Sequence, residues 1–371
     1  MSTDTSIPRG KVLVTGGSGH VGANLVHALL AEGQEVRCLV LPGASERAFE
    51  GLPVERFEGD IRDPQAMLAA TKGCARVFHV AAKVSTLNAT AGEQRELYEI
   101  NVLGTRNVMR ACLENGVDRA VLTGSFSSTG FDLDDPSKPS HEARPFYPFG
   151  HVMPYSHTKA LAEHETLKCV VEGLDAVIVT SCACVGPWDY MPSRMGRTMI
   201  DYANGKLRAF VPGGFDFVNG RDIAQGHLLA MERGRAGQKY ICSTHFHTLE
   251  DLVGFFSEVT GLPPVRLQVP AKLMAKVTGL YAGSLAKLFP KLPQRLTPGA
   301  IGVLQMRRHA DTSKAQRELG YRPTSIREAV RDAFVFFARE GKLPPEVRDR
   351  VLSTHAEAAE AAGLYRGARV H

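Results

Sequence analysis

The sequence predicts an α/β fold: a doubly wound parallel sheet with a smaller α+β lobe on its C-terminal side. Three observations predict it. Strand-like and helix-like segments alternate through the first 180 residues. A glycine-rich loop, running from Gly16 to Gly22 as GGSGHVG, joins the first strand directly to the first helix. After about residue 181 the alternation loosens, and Pro and Gly become frequent, as in VGPWDYMP and FVPGGF. The division that follows is 1–180 for the sheet domain and 181–343 mainly for the lobe, with some segments returning to the sheet. Residues 344–371 form a C-terminal tail.

Each element has its own reason. Lys11–Thr15 is a short apolar, β-branched run and reads as the first strand. Gly19–Glu32 is helical, with Val21, Leu25, Ala28 and Leu29 on one face. Glu35–Leu41 and Val54–Phe57 read as strands, and Asp63 before Pro64 as the N-cap of a short helix over Pro64–Ala70. Arg76–Val80 is a strand, Arg95–Glu114 a long helix, and Arg119–Thr123 the next strand. Tyr155–Glu172 is a helix followed by the strand Ala176–Thr180. In the lobe, helices are expected at Ile223–Glu232, Leu249–Thr260, Ala271–Phe289 and Ser325–Glu340. Ala271–Phe289 reads as a core-packed helix with solvated lysines rather than a pocket lid or a membrane-surface helix. The Ala/Glu-rich tail from Pro344 reads as a frayed or partner-docking helix.

Composition narrows the function classes. The 371 residues carry a net charge of +5 with no block of like charge, which gives no footprint for nucleic acid. A mild basic bias suits an anionic ligand. Cys38, Cys74, Cys112, Cys169, Cys182, Cys184 and Cys242 are odd in number and include no Cys-x-x-Cys pair, so reduced thiols are expected. The N-terminus lacks an apolar signal core, and no apolar run approaches the ~18–20 residues of a membrane span. A cytoplasmic location follows as the expectation. His245 and His247 lie in an apparent turn with no carboxylate or cysteine at ligand spacing, so no metal site is expected.

The glycine loop carries the first chemical signal. Gly16 allows the tight turn, Gly19 lets backbone N–H groups approach a pyrophosphate, and Gly22 permits close helix–sheet packing. Ser18, His20 and Val21 lie in the same loop and first turn. This placement, at the head of a βαβ unit, predicts a Rossmann-type site for NADP or NAD. The end of the second strand reads Val40-Leu41, so neither the acid that would bind a ribose 2′-hydroxyl nor an arginine stands there. Arg37 and Arg47 are close enough in sequence to meet a 2′-phosphate, or are surface charges; the missing acid tilts the reading to NADP. Asp60, with Ile61, follows the third strand and is a candidate for the adenine amino group.

The second signal is Tyr155 and Lys159, four residues apart and on one helical face. A neighbouring ammonium lowers a phenol pKa from ~10, making the tyrosine a usable proton donor near neutral pH. Ser125, after the strand ending at Thr123, can hydrogen-bond a carbonyl oxygen as charge grows on it, with Ser127 as the second choice. Turn chemistry is the alternative for both serines.

These segments occur in an order that resembles the extended short-chain dehydrogenase/reductase superfamily. TGGSGHVG, GDIRD, HVAA, NVLGT, the Ser125 segment and Tyr155/Lys159 are followed by VGPWD, GRDIAQGHLLAMERG and SKAQRELGYRP. Within it the chain is similar to dihydroflavonol-4-reductase-like and 3β-hydroxysteroid-dehydrogenase-like proteins, near the hopanoid-associated sugar epimerases. The resemblance implies a catalytic triad of Ser125, Tyr155 and Lys159, with Ala81, Ala82, Lys83 and Asn101 along the cofactor. Relatives often carry Arg where this chain has Leu41, and Asn-Pro or Arg-Pro where it has Thr180-Ser181.

The hydride machinery alone does not separate a carbonyl reductase from a nucleotide-sugar epimerase or dehydratase. Arg194 and Arg197 are candidate diphosphate anchors, or solvated helix charges. Phe131, Phe146, Tyr147, Phe149, His151 and Met153 precede the tyrosine; Trp188, Tyr190, Met191, Met195, Phe215 and Phe217 follow it. A site drawing on part of this set would be apolar and suit a hydrophobic ketone. Cys182 and Cys184 read as pocket or core residues. The reading is an NAD(P)H-dependent reductase of a small-molecule carbonyl compound, in a chain that could form a homodimer. A non-catalytic dinucleotide sensor is the third class, and the complete Ser/Tyr/Lys set argues against it.

Overall fold

The computed structural model describes residues 10–85, 90–146, 153–274 and 298–361. Its centre is a seven-stranded sheet, and every pairing in it is parallel. The strands are β1 (Val12–Thr15), β2 (Val36–Val40), β3 (Val54–Glu58), β4 (Arg76–His79), β5 (Arg119–Ser125), β6 (Ala176–Ser181) and β9 (Lys239–Cys242), in the order β3-β2-β1-β4-β5-β6-β9. The order reverses between β1 and β4, and ligands of open parallel sheets bind at the carboxyl ends beside such a switch point. β9, beyond residue 181, is the edge strand beside β6.

Helices cover both faces. On one side α1 (His20–Ala31) and α7 (Gly220–Arg233) bury Leu25, Leu29, Ile223 and Ala230 against Val12, Val14, Val121 and Val179. On the other, α2 (Pro64–Thr71), α4 (Gly104–Glu114) and α5 (Pro154–Val171) bury Met67, Val108 and Cys169 against Leu13, Val77 and Ile178. Asp63 caps α2, its carboxylate accepting from Gln65 N at 2.9 Å.

The lobe has a core of its own. α6 (Arg194–Ala203), α8 (Leu249–Thr260), α11 (Ile326–Arg339) and α12 (Pro345–Ala361) gather Met199, Phe256, Phe334 and Val351. A three-stranded sheet, β10-β8-β7, lies beside it, built from β7 (Ala183–Val185), β8 (Gly214–Asn219) and β10 (His245–Thr248). α9 (Pro298–Met306) and α10 (Ser313–Leu319) complete the elements.

Two expectations are corrected here. The helix expected over Arg95–Glu114 starts earlier, as α3 (Ala91–Tyr98), because Thr90 and Glu93 form a reciprocal cap. A π turn over Glu99–Leu103 then separates it from α4. The tail is neither frayed nor free through Ala361: α12 buries Val347, Val351 and Ala359 against the lobe core. Of Ala271–Phe289, only the first four residues lie among those described.

Candidate active site

The glycine loop forms a cradle at the carboxyl end of β1. Gly16 has φ of 72°, and a Cβ there would stand 2.6 Å from Ala81 N. A Cβ on Gly22 would stand 2.1 Å from the Gly16 carbonyl oxygen. Both positions therefore demand glycine. The N-terminus of α1 carries no side-chain cap at Gly19 and no acid in its first turn. Its orphan N–H groups, near Ser18 and Val21, are left for an anion. His20 is the first residue of that helix. Burial disfavours its charge, yet Cys184 and Asp189 beside it hold its pKa up to about 9. Its Nε2 meets the Gly186 carbonyl oxygen at 3.2 Å, and its Nδ1 lies 4.0 Å from Asp189. These features fit a dinucleotide pyrophosphate.

The remaining cofactor candidates divide. Arg37 is corrected: it is the second residue of β2, not its end, and its side chain is bound to Glu55 Oε1 at 2.9 Å and to the Ala70 carbonyl at 2.7 Å. Arg47 stands nearer the strand's exit, paired with Glu340 at 2.8 Å and half exposed. Asp60 lies past the carboxyl end of β3, but Arg62 holds its carboxylate and lowers its pKa. Ile61 is buried beneath it. Ala81 N donates to Thr15 Oγ1 at 3.3 Å, and Ala82 follows in the same strand exit. The Lys83 ammonium turns outward to Glu96 at 2.5 Å, while its backbone is bound by Asn101.

Asn101 sits inside the π turn and joins three segments. Its Oδ1 accepts from Lys83 N at 2.8 Å; its Nδ2 donates to the Lys83 carbonyl and to Thr158 Oγ1, each at 3.0 Å. Thr158 in turn donates to the carbonyl of Tyr155 at 2.8 Å. The amide thus ties the exit of β4 to the first turn of α5.

Ser125 and Tyr155 come together, the serine hydroxyl near enough to the phenol to favour its ionised form. Ser125 Oγ also pairs with Ser127 Oγ at 2.8 Å. Burial pushes the Tyr155 pKa above its ordinary value, and Ser125 only partly opposes this. That corrects the expected lowering by Lys159. The Lys159 ammonium is buried, at 4% exposure, and donates to the Thr123 carbonyl at 2.5 Å. Burial lowers its pKa to about 8, with Glu163 pulling the other way.

Glu163 was not foreseen, although it continues the Tyr155–Lys159 face by one more turn. Its Oε1 accepts from Ser128 Oγ and its Oε2 from Lys239 Nζ, both at 2.7 Å. The Ser125 carbonyl, 2.6 Å from Ser128 Oγ, shares that hydroxyl's single proton with Glu163, so one carboxylate braces the serine segment and offsets the lysine charge.

Two buried histidines flank Lys159. His79 is bound by Thr15 Oγ1 at 2.7 Å and Thr105 Oγ1 at 2.9 Å; His227 is bound by Thr123 Oγ1 and the Ile223 carbonyl at 2.7 Å. Burial, then Lys159, lowers His79 to about 3. Burial, opposed by the Ile223 hydrogen bond and aided by Lys159, lowers His227 to about 4. Both are neutral in the folded protein, while the unfolded chain takes up protons from pH ~6.5 downward. Their contribution is complete above pH 6.5 and is lost as pH falls toward 4. Urea unfolding at pH 5.5 should show about 3 kcal/mol less stability than at pH 7.5 from this pair. An unchanged midpoint would refute their neutrality.

Much of the expected aromatic lining is core. Trp188 stacks on His27 with ring centroids 3.8 Å apart, Tyr190 packs against Phe336 at 5.0 Å, and Phe217 is fully buried. Met195 and Phe215 pack against the lobe core and Met191 is exposed. Phe146 lines a cavity of about 370 Å³ behind α5, and Met153 precedes that helix. Tyr147, Phe149 and His151 lie outside the described residues. Arg194 and Arg197 stand exposed on the first turn of α6. All seven cysteines are free thiols. Among the described residues no group of His, Cys, Asp and Glu is placed to hold a metal, and no helix is long and apolar enough to cross a membrane.

Residues 12–243 match the model of the NAD dependent epimerase/dehydratase family. The chain belongs to this family. It is 40% identical to sterol demethylase protein B of Methylococcus capsulatus, over 89% of this chain and 99% of that one. It is 33% identical to a putative dihydroflavonol 4-reductase of Synechocystis, over 88% and 94%. The crystal structure of gox2253 superposes with a TM-score of 0.76 at 32% identity, covering 90% of this chain and 99% of that one. UDP-glucose 4-epimerase of Thermus thermophilus shares the fold, with a TM-score of 0.69 at 24% identity. The family member described here is an NAD(P)-dependent oxidoreductase of the extended short-chain type, with a Rossmann-like sheet and a site for NAD or NADP.

Proposed function

We propose that this enzyme uses NAD(P)H to reduce the carbonyl of a hydrophobic, ring-containing small molecule. The observation that carries this reading is the meeting of the Ser125 hydroxyl with the Tyr155 phenol at the carboxyl end of β5, with buried Lys159 one turn on. The nicotinamide, when bound, supplies the hydride. Ser125 donates a hydrogen bond to the carbonyl oxygen, and Tyr155, kept protonated by its burial, delivers the proton to that oxygen. Lys159 keeps a positive charge beneath the phenol, and Asn101 fixes the first turn of α5. The relatives named for a sterol and a dihydroflavonol support an apolar substrate body. The test is absorbance at the reduced-nicotinamide band, with both cofactors, against steroid, flavonoid, polyketide and quinolone ketones. Cofactor consumption with at least one of these is expected; turnover of nucleotide sugars alone would overturn the reading. That second reading, an epimerase or dehydratase, draws on exposed Arg194 and Arg197.

NADPH is the preferred cofactor in this proposal, with Arg47 as the residue that meets its 2′-phosphate. Arg47→Ala should raise KM for NADPH by about tenfold, the loss of one charge-assisted contact, and leave KM for NADH unchanged. Equal effects on both cofactors would remove Arg47 from this role.

A further inference from the structure

We propose that Glu163 is a positioning residue for proton delivery, one carboxylate that holds both the charge of Lys159 and the seat of Ser125. This deepens the carbonyl-reductase reading and rests on it for the reaction served. Tyr155, Lys159 and Glu163 follow one another at four-residue steps along α5, on one face of the helix. Glu163 is 8% exposed and Lys159 4%. The Glu163 carboxylate lies against the backbone of β5, where a Cβ on Gly124 would stand 3.3 Å from Oε1. Gly124 separates Thr123, whose carbonyl accepts from Lys159, from Ser125, whose carbonyl shares the Ser128 proton with Glu163. The acid therefore sits between the anchor of the lysine and the anchor of the serine.

A buried ammonium is costly unless an opposite charge meets it. His79 from β4, His227 from α7 and Tyr155 from α5 are the other titratable groups around Lys159. The two histidines are neutral, and burial keeps the phenol protonated. Among the described residues Glu163 is the acid that opposes the effect of burial on Lys159. Lys239, from β9, holds Oε2 at 2.7 Å and fixes the carboxylate from the sheet edge. A buried ion pair is a poor source of stability, since apolar side chains of similar volume serve a core as well. Its presence on the face that carries Tyr155 points to the reaction instead.

Reduction moves a proton from Tyr155 to the substrate oxygen and leaves a phenolate. An ammonium one helical turn away stabilises that phenolate. Glu163 neither gives nor takes the proton. Its loss lowers the pH at which Lys159 is discharged, so the rate falls earlier as pH rises. A purely structural Glu163 would leave the titration of Lys159 unmoved and lower the rate by one factor at every pH.

Two variants divide the roles. Glu163→Gln keeps an oxygen for Ser128 and removes the charge; Lys239 borders the cavity of about 370 Å³ behind α5 and has room to turn from the new amide. Glu163→Asp keeps the charge and falls one methylene short of Ser128. The Lys159 Cε signal of full-length enzyme carrying 13C-lysine, identified by its absence from Lys159→Met, is titrated from pH 6 to 10. Its midpoint should fall by about one unit or more in Glu163→Gln and stay near the wild-type value in Glu163→Asp. The double variant Glu163→Gln/Lys239→Gln, which leaves no charge facing the amide, should show the same fall. The reduction rate of Glu163→Gln relative to wild type should drop by up to about tenfold between pH 6 and 8.5. Glu163→Asp should lower kcat alike across that range, with KM for NADPH unchanged. An unchanged Lys159 midpoint in both Gln variants overturns the proposal. So does a Gln variant whose relative rate is the same at every pH, or an Asp variant that turns over like wild type. The titration needs no substrate: wild type that reduces none of the ketones ends the reductase reading, while the midpoint still decides whether Glu163 holds the lysine charge.

Discussion

Tyr155→Phe should lower kcat by about 10²–10⁴-fold while leaving dinucleotide affinity and thermal stability unchanged. The phenol sits at the first turn of α5, near Ser125, and losing its oxygen removes the acid without disturbing the Asn101–Thr158 brace behind it. The pH dependence gives a second readout. Burial raises the Tyr155 pKa, so the phenol stays protonated through neutral pH and past its ordinary value near 10. Reduction, which needs the proton, should hold its rate through neutrality and fall only in alkali. Oxidation of the alcohol, which needs the phenolate, should rise as pH increases. Lys159, one helical turn on, titrates between these limits, with a pKa near 8. Initial rates in both directions from pH 6 to 10 check the signs. A Phe variant with wild-type turnover would end the proposed role of Tyr155.

The strands and most helices were legible because the relevant signal is local. A β-branched run, a glycine loop and 3.6-residue periodicity all act within a dozen residues. Tyr155 and Lys159 were expected on one helix and Ser125 past a strand, and α5 and β5 carry them so; their joint role came from the resemblance and stays part of the proposal. What was lost depends on distance across the sheet. Arg37 was close to the strand end in sequence, yet it lies three positions before Val40 along the strand. That is about 10 Å at 3.3 Å per residue, enough to carry it to Glu55 and α2. Trp188 lies among residues expected to line a site, but its ring is taken by His27, more than a hundred residues earlier. The Lys159 partner was invisible because a backbone carbonyl, Thr123, has no sequence signature. The π turn at Asn101 adds one residue to a helical turn, which periodicity alone does not register.

Gly22→Ala should abolish measurable dinucleotide binding and lower stability by about 1–3 kcal/mol. The added Cβ would meet the Gly16 carbonyl oxygen at 2.1 Å and Gly17 Cα at 2.8 Å. Both are backbone atoms of the loop, so no side chain can rotate away to relieve the contact. Either α1 withdraws from β1 or the loop shifts outward, and each movement takes the orphan N–H groups of α1 off the pyrophosphate position. Gly254→Ala is the matched control. It lies inside α8, where an added Cβ meets nothing within 4 Å, and it should stabilise the protein by about 0.5–1 kcal/mol with no change in binding. Fluorescence titration with NADPH and thermal melts of both variants separate the two causes. Loss of binding that followed stability alone would spare any Gly22 variant that melts normally. Loss caused by the cradle persists at temperatures where that variant is fully folded. Normal NADPH affinity in folded Gly22→Ala would mean that the loop binds the cofactor from some other face, and the placement of Tyr155 beside the nicotinamide would fall with it.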